Sequence, residues 1–374
     1  MQKLIELKKD EEILVSSKPG KYLKPDYVYI PFKKEDKLLV KPNEKVKIGS
    51  NITTSSISPI SGVVRSLKKM MSFNNALYYL EIENDFEEQR VKEGAKKRKF
   101  SKEEAFEVLS RKLKDKKNLV LNAIDDELYV VTENFYLFLY YDVFLELLDD
   151  LDSMFHLEHI IVCVSASSSE NISNLMSDLG MYPHIELKMV PSLYLLGKTE
   201  FLLSYLGMDE KNTVVIKASR FYDAYNTLKR GRCPSDKLFT ISGNAIKNPM
   251  VIQSKIGVLL KDIIKELIEF KEKDFLFIAG GLMQGKIIDI ENFVITHSLN
   301  SILIMKKEEV RESLSCLKCG ACHDICPKGL YPNLFSDPVY FEQKKNICLK
   351  CGLCSYICPV YINFNKYWKG ENNE

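Results

Sequence analysis

Residues 316–327, CLKCGACHDICP, and residues 348–359, CLKCGLCSYICP, repeat one pattern thirty-two positions apart. Each run reads C-x2-C-x2-C-x3-C-P: Cys316, Cys319, Cys322 and Cys326-Pro327, then Cys348, Cys351, Cys354 and Cys358-Pro359. This is the ligand spacing of a bacterial ferredoxin with two 4Fe-4S clusters. Three cysteines separated by two residues curl around one corner of a cubane while backbone amides face its sulfurs, and the fourth thiolate has to come from elsewhere. In two-cluster ferredoxins the other run supplies it. One cluster is therefore expected on Cys316, Cys319, Cys322 and Cys358, and the second on Cys348, Cys351, Cys354 and Cys326. Pro327 and Pro359 lack an N–H and fix φ, so each turns the chain away after the crossing ligand. Gly320 and Gly352 stand where backbone approaches sulfur without a Cβ in the way.

Two other readings of these cysteines compete. Zinc sites pair two C-x2-C hooks, which leaves the four cysteines per run and the trailing proline unexplained. A disulfide framework belongs to secreted chains, and this one starts with the charged stretch MQKLIELKKDEE, with no apolar signal segment. His323, inside the first run, is expected beside the cluster or facing solvent, because the four-cysteine count is already complete. Cys163 in IIVCVS and Cys233 before Pro234 read as incidental thiols.

At 374 residues the chain has room for two to four domains. Its 53 basic and 51 acidic residues nearly cancel, to +2, which gives no reason to expect nucleic acid as a partner. The most apolar stretch, 135–148, is fourteen residues long and contains Asp142 and Glu146, too short and too polar to span a bilayer. Thiolates kept free for iron point to a reducing cytoplasm. The chain is expected there, at most peripheral on the inner face of the cell membrane through a partner.

Outward from the cysteines the chain reads as a multidomain α+β protein. Residues 1–90 carry short strands, VYIPF, KLLVKPNEKVKIGSNI and SPISGVVRSL, punctuated by Pro42-Asn43, Gly49 and Ser61-Gly62. This unit is similar to the barrel-sandwich hybrid of lipoyl and biotinyl carriers, but no lysine lies between its two hairpin elements, so it reads as a structural or docking module. Residues 91–211 open with the basic run KKRK at 96–99 and a helix over SKEEAFEVLSRKLKDK, whose apolar positions are Ala105, Phe106, Leu109 and Leu113 and whose capping box is Ser101 with Glu104. Alternating strands and helices follow (NLVLNAI, ENFYLFLYYDVFLELLDDL, IIVCVSAS, SENISNLMSDLG, IELKMV, TEFLLSYLG), which argues a parallel α/β domain. Such domains hold nucleotides or flavins at the carboxyl ends of their strands, yet no G-x-G-x-x-G or P-loop occurs. Residues 212–305, from TVVIKAS through LFTISGNAIKNPMVIQSKIG and the helix VLLKDIIKELIEF, read as a compact β-grasp-like unit. Its GGLMQG turn offers Gly280, Gly281 and Gly285 either as a close approach to a ligand phosphate or as a packing turn. Residues 306–374 form the cluster module, with 330–347 partly helical between the runs.

CLKCGACHDICPKGLYPNLF and CLKCGLCSYICPVYINFNKY resemble the RnfC family, the C subunits of Rnf-type ion-translocating electron-transport complexes. PNEKVKIGS, SPISGVV, ISGNAIKNP, GGLMQG and THSLNSILIM match in the family's order, so the resemblance runs over about residues 20–370. It implies a barrel-sandwich domain, a flavin- and nicotinamide-binding α/β domain related to the complex I flavoprotein, an SLBB-type β-grasp unit and a helical two-cluster ferredoxin domain. It further implies other subunits of a membrane electron-transport complex as partners, with ferredoxin or a flavoprotein as further candidates. Electrons would run from NADH through FMN to the clusters, or the reverse. The departures fall in one place. The family's glycine-rich flavin loop has no counterpart, its N-x-x-E-C-E-P element stands here as Asn122-Ala123-Ile124-Asp125-Asp126-Glu127-Leu128, and its Y-P-x-G element as Tyr194-Leu195-Leu196-Gly197. The cluster cysteines carry over residue by residue, whereas the residues for FMN and NADH do not. Asp125, Asp126 and Glu127 are expected as a solvated strand end.

The leading functional reading is thus a two-cluster electron relay inside an oxidoreductase complex. The alternatives are a stand-alone flavin-dependent NADH oxidoreductase or cobalamin reductase, and a scaffold in which the clusters only staple the fold.

Overall fold

The computed structural model describes residues 4–7, 15–32, 35–69, 78–91, 102–166, 173–307 and 313–368. The basic run 96–99 and Ser101 of the expected capping box lie outside the described residues.

A short strand β1 (Gly20–Tyr22) precedes an antiparallel sheet of β2 (Tyr27–Phe32), β3 (Lys45–Val46), β4 (Gly62–Lys69) and β5 (Tyr78–Asn84), in the order β2-β5-β4-β3. Alternate residues point inward, as a half-buried strand requires: Val28 and Ile30 from β2, Val64 from β4, Leu80 and Ile82 from β5 are all buried. β5 is a strand beyond those read from sequence.

Next come α1 (Lys102–Leu113), β6 (Asn118–Asn122), α2 (Thr132–Phe155), β7 (His159–Ser165), α3 (Ser173–Asp178), β8 (Ile185–Val190), α4 (Thr199–Leu206), β9 (Thr213–Lys217) and α5 (Ala218–Leu228). Leu109 and Leu113 of α1 are buried while Phe106 is exposed. The sheet is parallel throughout, in the order β8-β7-β6-β9. Its central strand is covered on both faces, so Leu119, Val120 and Leu121 are all fully buried, the mark of a parallel sheet between helices. α2 lays Phe144, Leu148 and Leu151 into the core beside Phe221 of α5. It ends where His156 takes a left-handed conformation and returns its N–H to the Asp152 carbonyl. β9, read from sequence with the following β-rich segment, is hydrogen-bonded to β6 instead, setting Lys217 directly beside Asn122. TVVIK has strand character in either setting, and only the pairing partner decides.

The third sheet holds β10 (Asp236–Ser242), β11 (Met250–Lys255), β12 (Phe275–Ala279), β13 (Lys286–Ile288) and β14 (Ser301–Lys306), with α6 (Leu260–Leu267) packed through Leu260, Ile263 and Ile264. Its order is β1-β11-β10-β14-β12-β13, with β1 parallel to β11. Val28 and Ile82 of the first sheet and Ile52 of the segment between β3 and β4 share one apolar core with Phe239 and Ile302 of the third sheet and Ile263 of α6. Replacing Ile263 by alanine there is expected to cost about 2–5 kcal/mol.

The last described segment, 313–368, is built from α7 (Ala321–Asp324), α8 (Pro338–Lys344) and α9 (Leu353–Tyr356) around Leu330, Phe335 and Phe364. Asp337 starts α8 by accepting the N–H groups of Val339 (2.8 Å) and Tyr340 (3.4 Å). Among the described residues no helix is long and apolar enough to cross a membrane.

Candidate metal centre and the adjoining cleft

The cysteines surround two cavities. Cys316, Cys319, Cys322 and Cys358 line one; Cys326, Cys348, Cys351 and Cys354 line the other. Each cavity takes three cysteines from one run and the fourth from the other run. The backbone repeats as closely as the sequence does. Lys318 and Lys350 have φ of 55° and 53°, and Gly320 and Gly352 have φ of 82° and 80°. These left-handed residues tighten each loop until its N–H groups face sulfur. Lys318 N–H donates to Cys316 Sγ, Lys350 N–H to Cys348 Sγ and Leu330 N–H to Cys326 Sγ, each at 3.4 Å. His323 lies beside this ring of sulfurs, its Nδ1 3.0 Å from the Leu330 carbonyl and its ring stacked 3.9 Å from Tyr331.

The chemistry of the donors fits an iron–sulfur core. Burial pushes the Cys354 thiol up to about 12, with the charges of Cys351 and Cys348 acting the same way, and burial raises Cys348 and Cys351 as well. Such a pocket holds neutral thiols until a positive core draws off the protons, which ties loading to folding. A cubane takes one thiolate at each iron corner, so its sulfurs enclose a void. Among the described residues no group of three or more His, Cys, Asp or Glu side chains is drawn together closely enough to hold a single metal ion.

The second cavity is seated on the body of the protein. Tyr194 O–H donates to the Cys351 carbonyl at 2.6 Å, and the Gln284 side-chain amide donates to Tyr194 Oη at 3.1 Å. A Cβ on Gly352 would lie 2.7 Å from the Met283 carbonyl oxygen, and one on Gly281 would lie 2.1 Å from Glu127. Gly352, left-handed and against backbone, excludes a larger residue, whereas at Gly281 the Glu127 side chain would have to move aside. Lys328 adds an ion pair to Glu200 at 2.5 Å. The 280–285 turn therefore holds the cysteine module against the α/β unit; Gly280 and Gly281 also line the cleft beside it, and Gly285 packs under the Gly281 carbonyl.

That cleft, about 480 Å3, opens at the carboxyl ends of β6 and β9, where the strand order reverses. This is the crevice in which open α/β sheets take ligands, and its volume lies within the ~300–1,000 Å3 of small-molecule sites. The expectation for its acidic floor needs correction: Asp125, Asp126 and Glu127 are not a solvated strand end. Asp125 accepts the N–H groups of Glu133 and Asn134, both at 3.0 Å, at the start of α2. Asp126 accepts Gly197 N–H at 2.5 Å, and Glu127 accepts Met283 N–H at 2.9 Å. Glu133, buried, accepts Ser219 N–H at 2.9 Å and its hydroxyl at 2.8 Å at the start of α5. Lys217 Nζ donates to the Ile124 carbonyl at 2.7 Å. Burial raises Asp125 to about 7, the Glu133 charge adding to it, and raises Asp126 and Glu127 also. FMN and NADH carry phosphates that such a cleft meets with free N–H groups at helix N-termini. Here the N–H groups of Glu133 and Asn134 in α2 and of Ser219 in α5 are already bonded to carboxylates, so these donors do not fit a phosphate of either molecule.

Sequence reading noted Tyr194 only as part of the Y-P-x-G counterpart and Gln284 only within GGLMQG, and gave no role to Glu133, Lys217 or Ser219. Glu133 left one signal, a lone acid opening the apolar helix ENFYLFLYY. The others become neighbours only through the fold.

Fold and site together define a class: a mixed α/β multidomain protein with several sheets, ending in a doubled cysteine module. No family model matches the chain. It is 23% identical over 226 residues to the C component (RnfC) of the ion-translocating oxidoreductase complex of Pectobacterium atrosepticum, an alignment covering 57% of this chain and 33% of that protein. It is 34% identical over 113 residues to the C component of the proton-translocating ferredoxin:NAD(+) oxidoreductase complex of Clostridium ljungdahlii, covering 30% of this chain and 25% of that one. The chain is a divergent relative of these RnfC proteins and spans about a third or less of their length. Among solved structures it resembles NAD+-reducing NiFe hydrogenase in the air-oxidized state (TM-score 0.42, 12% identity, 51% of this chain and 40% of that one). The H2-reduced state gives a TM-score of 0.47 with 11% identity, over 71% and 56% of the two chains.

Proposed function

We propose that this chain is an RnfC-like electron-transfer subunit that relays electrons through two 4Fe-4S clusters within a membrane-associated oxidoreductase complex. The observation that carries the reading is the partition of the eight cysteines into two cavities, three from one run and one from the other in each. When bound, a cluster at each cavity takes up and releases one electron. The chain's own residues set the terms of that exchange. The N–H groups of Lys318, Lys350 and Leu330 stabilise negative charge on Cys316, Cys348 and Cys326, and Tyr194 fixes the backbone of Cys351.

On this reading, 306–374 is the two-cluster domain, and 91–211 together with β9 and α5 is a degenerate form of the FMN- and NADH-binding domain. The barrel-sandwich unit (1–90, less β1) and the SLBB-like β-grasp unit (the rest of 212–305, with β1) hold the module and meet other subunits at the inner face of the membrane. Ferredoxin or a flavoprotein is the exchange partner.

Anaerobic purification and reconstitution of the full chain tests the proposal. The expected result is iron and acid-labile sulfide at two four-iron clusters per chain, with two interacting paramagnetic signals on reduction. Zinc in place of iron, or one cluster, rejects it. In Cys358→Ala the cluster held by Cys316, Cys319 and Cys322 should be lost first; loss confined to the Cys348, Cys351 and Cys354 centre would refute the crossing.

A further inference from the structure

The cleft beside the cysteine module has the position of a ligand site and the interior of a filled one. Four places where a bound anion would find backbone donors already hold a carboxylate of the chain itself. Asp125 spans two N–H groups in the first turn of α2, and Glu133 spans the N–H and hydroxyl of Ser219 in the first turn of α5. Asp126 sits on Gly197 N–H at the turn before α4, and Glu127 on Met283 N–H in the 280–285 turn. The four carboxyl groups all line the cleft, with Ser219 lining the cavity next to it, so they occupy its polar side as a ligand's anionic groups would. Lys217 and Lys198 are the basic side chains among the lining residues. Lys217 is drawn toward Asp125 and Asp126, and Lys198 donates to Gln284 at 3.2 Å. Two lysines face four carboxyl groups, so the lining offers a phosphate no excess of positive charge. A phosphate would have to displace a bonded carboxyl group, stranding it in a half-buried site where an unpaired polar group is costly.

We infer that the cleft is liganded by the protein itself: Asp125, Asp126, Glu127 and Glu133 stand in for a ligand's anionic groups and close it to FMN, NADH and other phosphate-bearing molecules. The closure does not depend on the clusters. Taken with the relay reading, on which this further step rests, it means that electrons reach the centre on Cys326, Cys348, Cys351 and Cys354 from a protein partner and not from a nicotinamide bound in this chain.

The test titrates the anaerobic, cluster-loaded full chain with FMN, followed by fluorescence anisotropy, and with NADH, followed by calorimetry. No saturable binding is expected, with Kd weaker than about 1 mM. Saturable binding below about 0.1 mM that Lys217→Ala abolishes would overturn the inference. Glu133→Ala frees the Ser219 donors and is expected to gain inorganic phosphate binding, read as 31P line broadening absent from the parent chain. A folded Glu133→Ala protein without that gain shows that something other than the carboxylate closes the site, and also overturns the inference. If that variant fails to fold, the titrations of the parent chain still decide. Cluster signals in the same samples keep the two readings apart: nucleotide binding with intact clusters breaks only the closure, and missing clusters with no nucleotide binding break only the relay.

Discussion

Around Cys316 and Cys319 the side chains of Leu314 and Leu317 are 64% and 65% exposed. Thirty-two residues on, the matching loop turns Leu349 and Cys351 onto Met283 and Tyr194, and Leu353 is 1% exposed. A Cβ on Gly320 would meet nothing within 4 Å, whereas one on Gly352 would strike the Met283 carbonyl. The two runs share spacing, left-handed residues and short helices, so their internal geometry is set locally. Their surroundings are not. The repeat makes two equivalent cages, and the body of the protein makes one of them inner and the other outer.

The widest expected separation is between Gly352→Ala and Gly320→Ala. Both lose about 1–2 kcal/mol by forcing a left-handed conformation on alanine, but Gly352→Ala adds overpacking of about 1–3 kcal/mol against Met283. Thermal unfolding with cluster absorbance as the readout should rank them in that order; equal losses would mean that the inner run is not seated on the 280–285 turn. Tyr194→Phe comes next, at about 1–3 kcal/mol, because the Cys351 carbonyl loses its donor. The inner cluster's signal should broaden or shift in this variant while the outer one stays.

A smaller difference should appear with pH. Asp125, raised from 3.8 to about 7 by burial and then by Glu133, with Lys217 opposing, is protonated in the folded chain over a range where the unfolded chain has released the proton. The folded state then binds more protons, so this group's contribution to stability falls as pH rises from about 4 to about 7. Urea midpoints at about pH 5 and about pH 8 should converge in Asp125→Asn, and the loss in the parent should loosen the inner cage before the outer. The smallest structural effect belongs to Leu317→Ser, within about 0.5 kcal/mol because the side chain faces solvent. On the relay proposal that substitution slows electron exchange with a partner protein at the outer cage, measured by stopped-flow reduction, and leaves unfolding unchanged.

Which cysteines line which cavity could be anticipated, because the spacing curls each loop locally and the two-cluster ferredoxin pattern lends the fourth thiol from the other run. The parallel α/β unit was legible from NLVLN, IIVCVS and IELKMV alternating with helices. TVVIK was not, since a strand carries no mark of its partner, and the α5 sequence ASRFYDAYNTL followed it unread. Asp125, Asp126 and Glu127 misled for a physical reason. Three acids after a strand look like solvent-facing polarity, but the N–H groups they bind belong to residues 133, 134, 197 and 283, the last two far along the chain. What distinguishes inner from outer cage was present only as Leu353 where the first run has Ala321, a difference whose meaning depends on what lies against it.

Pairing of β1 with β11 joins residues 20–22 to residues 252–254. During synthesis the early strand has to wait for some two hundred and thirty further residues before its neighbour exists, and the core shared by the first and third sheets cannot close sooner. The cysteine runs leave the ribosome soon after that moment. The runs thus meet a platform newly completed, and a chain in which the early strand fails to pair would present thiols with nowhere to dock.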